Sequence, residues 1–177
     1  IINPVAAEYL HDAIASAQET RAHVLIIELD TPGGLDTSMR LIVKDITNAA
    51  IPVVVFVAPS GGRAASAGVF ITMAAHVAAM SPGTNIGAAH PVGMGGEQPD
   101  SIMMGKMTND AAAFIRTISE KRHRNVRWAE DAVRMSVSLT ETWPPASAPN
   151  GTGLTPWRRS PAAISASTSA SNSRRHS

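Results

Sequence analysis

Val24-Leu25-Ile26-Ile27-Glu28-Leu29-Asp30-Thr31-Pro32-Gly33-Gly34 decides how this chain folds. A mostly apolar, β-branched run breaks off into Asp-Thr-Pro-Gly-Gly, the pattern of a buried strand entering a tight turn. Directly downstream, Asp36 to Asn48 places Met39, Ile42, Val43 and Ile46 on one stripe of a helix. Pro52 to Val57 is then a second buried strand, ending in Ala58-Pro59-Ser60-Gly61-Gly62. Strand, helix, strand in this order implies a right-handed βαβ unit, hence an α/β fold with a parallel sheet.

The pattern extends both ways. Pro4 to Arg21 reads as a helix with Val5, Tyr9, Ala13 and Ala17 on one stripe and Pro4 in its first turn. Ser66 to Ala75 is a buried helix of small and apolar residues, His76 to Met80 a third strand, and Ser81-Pro82-Gly83-Thr84 a turn. Gly93 to Gly105 has no usable period and reads as a loop. Thr108 to Arg122 is a long helix with Ala112, Ile115 and Ile118 inward, and Val126 to Met135 a shorter one. The run Lys121-Arg122-His123-Arg124 reads as a solvated helix end.

The 15 Lys and Arg nearly balance the 14 Asp and Glu of the 177 residues, but unevenly. Residues 1–141 hold all 14 acidic and 11 basic residues, a net −3, whereas 142–177 hold four Arg and no other charge, +4. That second segment has eight Ser, six Ala and five Pro, too little apolar surface to offset its ordering entropy. With no cysteine, disulfide scaffolds, thiolate zinc sites and cysteine nucleophiles drop out. No stretch approaches about 18 consecutive apolar residues, so the expectation is a soluble piece without a membrane span. Ile1-Ile2-Asn3-Pro4 reads as the start of a fragment or processed form. Few aromatics and no basic stripe argue against nucleic-acid binding.

Both glycine-rich turns, Asp30 to Gly34 and Gly61 to Gly68, follow consecutive parallel strands and belong at the carboxyl edge of the sheet, where such folds place their sites. In the second, Ser66 stands between small residues at a helix start, where its hydroxyl is uncrowded and backbone N–H groups favour a developing oxyanion. The same position suits a helix N-cap, and spacing alone leaves cap and nucleophile both open. This is not the G-x-S-x-G elbow, because Ala64 and Ala65 precede the serine. Gly33-Gly34 makes a type II turn after Pro32, compatible with close approach of a substrate carbonyl. His76 reads as a core or edge histidine and His90, before Pro91, as a neighbour of the site without a direct catalytic role. No histidine pair has metal-binding spacing, so no metal site is expected.

Leu29-Asp30-Thr31-Pro32-Gly33-Gly34, Arg63-Ala64-Ala65-Ser66-Ala67-Gly68 and Pro82-Gly83-Thr84-Asn85-Ile86-Gly87-Ala88-Ala89-His90-Pro91-Val92 together resemble the NfeD family, ClpP-class serine proteases that are membrane-anchored and associated with stomatin-like proteins. The resemblance continues through Lys106-Met107-Thr108-Asn109-Asp110-Ala111 and Val137-Ser138-Leu139-Thr140, covering about residues 3–141. It implies a ClpP/crotonase-like α/β fold of stacked βαβ units with a parallel sheet. It also implies a Ser–Lys dyad, with Ser66 as nucleophile and Lys106 as general base, and an oxyanion hole from the N–H groups of Gly33, Gly34 and Ala67. The implied substrate is peptide, in apolar segments of membrane-associated proteins, with a stomatin-like partner, a homodimer, membrane association of the full-length protein and no cofactor. A groove of Leu35, Met39, Val69 and Phe70 would suit such a substrate.

The chain has three lysines, Lys44, Lys106 and Lys121, and the first and last suit solvated roles. A lysine working as a base must be neutral near pH 7, against an ordinary preference of about 3–4 kcal/mol. Met103, Met104 and Met107 would supply apolar cover. Asp110, one helical turn after Lys106, would hold the proton in place. The dyad therefore needs Lys106 at or before the first turn, with Asp110 aimed elsewhere. Two rivals are a non-catalytic scaffold that binds a stomatin-like partner, and an acyl-CoA enzyme of the crotonase type with Asp36 as its nearby carboxylate.

The chain also departs from the family. It starts at the helix where members have a preceding strand, so that edge is open or filled by another segment. Trp143-Pro144-Pro145 breaks the helix with which members continue. Residues 1–141 are thus read as the ClpP-like protease domain, and 142–177 as an atypical tail, disordered or translated in a shifted frame.

Overall fold

The computed structural model describes residues 1–93 and 100–141; the tail and part of the Gly93–Gly105 loop lie outside the described residues. In chain order the elements are α1 (Pro4–Glu19), β1 (Leu25–Leu29), α2 (Asp36–Asn48), β2 (Val53–Val57), β3 (Arg63–Ala65), α3 (Ala67–Ala74), β4 (Val77–Met80), β5 (Asn85–Gly87), α4 (Ser101–Lys121), α5 (Val126–Arg134) and β6 (Ser138–Thr140). Asn3 caps α1, its side chain accepting from Ala6 N–H at 2.8 Å.

β1, β2 and β4 form a parallel sheet in the order β1-β2-β4, with Leu25 opposite Val53 and Val54 opposite Val77. One face carries Ile27, Leu29, Val53, Val55 and Val57 into the core against α2 and α3. The other leaves Ile26 63% and Val77 48% exposed. These strands are therefore buried on one face only. A continuous apolar run says that a strand is apolar, not which of its faces is covered.

A second sheet, β3-β5-β6, comes from three-residue strands, the first inside a segment that reads as a turn and the other two in stretches given no element from the sequence. Such strands are too short to show a period. Bridges between Thr31 and Ala64, and between Ile2 and Gly34, extend this layer across the carboxyl ends of the first. Ile2 thereby pairs with the first glycine turn, while β1 stays the edge strand of its sheet among the described residues.

Three expectations need correction. α1 turns Ala7 and Ile14 inward rather than the stripe of Val5 and Tyr9, each 72% exposed. α4 begins at Ser101, not Thr108, because Asp100 caps it through Met103 N–H at 2.7 Å. The basic run is not a solvated end either. Arg124 is 8% exposed and donates to the carbonyls of Met73 (3.0 Å) and Ala75 (2.7 Å). Arg122 donates to Ala74 O at 2.7 Å and Ile46 O at 3.4 Å. Together they satisfy the orphan carbonyls where α3 ends in the core. Burial, helped by the charge of Arg122, pulls Arg124 down to about 10, so it stays charged at neutral pH.

Candidate active site

Ser66 sits at the mouth of α3 with φ 52° and ψ −115°, and its side chain makes no capping bond. A capping serine has extended backbone and accepts from the N–H two or three residues on. The cap, one of the two roles that spacing allowed, is thus ruled out. A non-glycine residue in this region costs about 1–3 kcal/mol and persists only where its surroundings over-determine it. They do so here. Thr31 N–H donates to Arg63 O (2.7 Å) and Ala65 N–H to Thr31 O (3.0 Å), fixing β3 to the first glycine turn. Ser66 N–H donates to Gly87 O (3.2 Å), and Ser66 O accepts from Val69 N–H (3.0 Å). Asp30 secures the start of β3 by accepting from Arg63 N–H at 2.9 Å.

The first turn closes onto the serine. A Cβ on Gly33, whose φ is +122°, would lie 2.6 Å from Ser66 Cβ and 3.0 Å from its Oγ. Only glycine fits there. The Gly33 N–H, however, is occupied, donating to Thr31 Oγ1 at 3.1 Å. Gly34 differs. Ile2 N–H donates to Gly33 O and Leu35 N–H to Ile2 O, both at 2.9 Å, so strand alternation turns the Gly34 N–H to the other side. Ala67 N–H, at the first position of α3, has no intrahelical acceptor. Gly34, Ser66 and Ala67 all line a cavity of about 260 Å³.

Its walls are Met39, Phe70, Ala89, Pro91, Val92, Met107 and Ala111, with Asp36, Arg40 and Asp110 at one side. Of the expected groove, Met39 and Phe70 are present. Val69 is fully buried in the core, and half-buried Leu35 does not line the cavity either. Arg40 is the member that sequence reasoning missed. It donates through Nε to Asp36 at 2.8 Å and through Nη2 to Asp110, and its guanidinium lies 4.3 Å from the Phe114 ring centroid. Phe114 in turn stacks on Phe70 at 5.9 Å. Its i, i+4 spacing from Asp36 was the available signal, but Asp110 is remote in sequence.

Lys106 lies in the second turn of α4, one turn later than expected, and is exposed. Its neighbour Met107 lines the cavity. Asp110 pairs with Arg40, and among the described residues no ion pair joins it to Lys106. Met103 is 52% exposed and so gives Lys106 little cover. His90 lies beside the cavity-lining Ala89 and Pro91, with Nδ1 2.9 Å from Val133 O, an acceptor, so Nδ1 carries the proton. His76 is an edge residue: its Nδ1 accepts from Val53 N–H at 3.2 Å, and desolvation, then Arg122 and Lys121, lower its pKa.

Known proteins resemble this chain in sequence and in fold. A family model described as NfeD1b, N-terminal domain, matches residues 2–169. The chain is 42% identical over 129 residues to the membrane-bound protease PH1510 of Pyrococcus horikoshii, covering 72% of this chain and 29% of that protein. It is 36% identical over 83 residues to membrane protein NfeD1b of Bacillus subtilis, 47% of this chain and 18% of that one. The chain thus spans less than a third of either relative. Among solved structures, a serine-to-alanine mutant of the 1510-N membrane-bound stomatin-specific protease aligns at TM-score 0.72 and 35% identity, over 79% of this chain and 68% of that one. A lysine-to-alanine mutant of 1510-N in complex with a substrate peptide aligns at TM-score 0.72 and 37% identity, over 79% and 64%. ClpP1 from Listeria monocytogenes, at 19% identity and TM-score 0.59 over 78% of each chain, shares the fold alone. By its sequence and its ClpP-like fold, the chain belongs to the NfeD1b N-terminal domain family.

Proposed function

We propose that this chain is the catalytic domain of a serine endopeptidase that cleaves apolar segments of membrane-associated proteins with a Ser66–Lys106 dyad. The observation that carries the reading is the backbone of Ser66, held at φ 52° beside a glycine that touches its side chain and beside an apolar cavity. Ser66 Oγ attacks the peptide carbonyl carbon while its proton passes to Lys106 Nζ. The N–H groups of Gly34 and Ala67 receive the oxyanion, and Gly33 supplies room for the carbonyl to approach. Collapse breaks the C–N bond as Lys106 returns the proton to the leaving amine. Water, deprotonated by Lys106, then hydrolyses the acyl-enzyme, and the proton goes back to Ser66.

Met39, Phe70, Val92 and Met107 suit an apolar substrate side chain next to the scissile bond. The names of the relatives support peptide cleavage, a membrane setting and a stomatin-like partner for the whole protein. A homodimer belongs to the same proposal, since loops of such proteases complete a neighbour's site. The second reading, a non-catalytic scaffold, is favoured by one observation: Lys106 is exposed and does not line the cavity. Turnover of an internally quenched apolar peptide separates the two. Ser66→Ala and Lys106→Ala are each expected to lower kcat by about 1,000-fold or more. Equal turnover in all three proteins would leave the scaffold.

A further inference from the structure

We propose that Arg40 is a positioning residue of this site, which withdraws Asp110 from Lys106 and so lets the lysine work as a base. The inference rests on the dyad reading above. Lys106 and Asp110 stand four residues apart on one continuous helix, the spacing at which a lysine and a carboxylate meet and the proton is held on the lysine. Asp110 instead faces α2, where Arg40 takes it. Arg40 is itself held on two further sides, by Asp36 one turn earlier and by the face of Phe114 one turn beyond Asp110. Its side chain is 33% exposed, against 62% for Asp36 and 70% for Asp110, so the guanidinium is the most covered member of the trio.

Lys44, one turn after Arg40 on α2, lines a separate cavity with Phe114 and Lys121 that does not include Asp110. From α5, Arg134 donates to Asn109 Oδ1 at 2.9 Å, and Glu130 is paired with Arg116 and Arg134. α3 carries no charged residue. From the loop lining the cavity, the titratable group is His90, whose Nδ1 is on Val133 O. Arg40 is therefore the cation placed to neutralise Asp110. Without it, the nearest cation to that carboxylate along α4 is Lys106.

The test is the pH dependence of kcat/KM in the full-length protein, with an internally quenched apolar peptide, from about pH 6 to about pH 10. Arg40→Met is expected to move the limb assigned to Lys106 to higher pH by about 0.2–0.4 unit. Arg40→Met/Asp110→Asn returns it to the wild-type position, and Arg40→Lys, which keeps the charge, moves it less than Arg40→Met. A limb that stays in place in folded Arg40→Met, or that stays shifted in the double variant, overturns the proposal. Should circular dichroism show Arg40→Met unfolded, Asp110→Asn decides alone. Its limb should lie at or below the wild-type pH, and a shift to higher pH overturns the idea. Active Ser66→Ala and Lys106→Ala would sink the dyad itself. Loss of activity in both, with an unmoved Arg40→Met limb, would remove only the role of Arg40.

Discussion

Ser66 combines a costly backbone with an uncommitted side chain. The cost is sustained because β3, β5 and the first glycine turn each bond the backbone around it, and the hydroxyl is left free for chemistry. Gly33 is the tightest of these contacts, and its role is space, since its N–H is already spent on Thr31. Gly33→Ala should therefore damage activity and stability together. A Cβ there must displace Ser66, and a shift of about 1 Å costs about 100-fold in rate. The added strain should cost about 1–3 kcal/mol. Peptide turnover and urea unfolding of the same variant check both, and a variant with wild-type turnover would contradict the contact. The serine and the glycine pair were legible as candidates because turn chemistry is local. The absence of a cap was not, since it depends on dihedral angles that spacing does not encode.

At the scale of elements, α3 is nearly uniform in its apolarity and fully buried, so its carboxyl end needs partners from elsewhere in the chain. Arg122 and Arg124 reach it from the turn between α4 and α5. In sequence they look like a solvated basic run, because nothing local distinguishes an arginine aimed inward. Arg124→Met keeps much of the apolar stem but strands the carbonyls of Met73 and Ala75. Each buried acceptor left unsatisfied costs about 1–3 kcal/mol. The expected loss is about 2–4 kcal/mol, seen as a lower urea midpoint with an unchanged slope. A midpoint within error of wild type would mean that water replaces the guanidinium. The start of α4 was also hidden, because Gly105 and the methionines mask its period and only Asp100 signals the cap.

For the whole molecule, helices cover one face of the β1-β2-β4 sheet and leave Ile26 and Val77 on the other largely exposed. Parallel sheets are normally covered on both faces, and the described residues forgo part of that burial. A cooperative melt below about 60 °C is expected for the isolated chain, and one well above it would contradict this account. Residues 142–177 lie outside the described residues, and for them the composition break supports the proposal of a shifted reading frame. The nucleotide sequence decides the frame, and an uninterrupted family-like frame through codon 142 would sink the shift. What the sequence by itself determined were the βαβ order, the inward faces of α2 and α4, the two glycine turns and the family, because each rests on residues close together in the chain. The tertiary structure alone decided the second sheet, the inward arginines and the Asp36–Arg40–Asp110 group. These join segments up to 76 residues apart, and no local period reports such contacts.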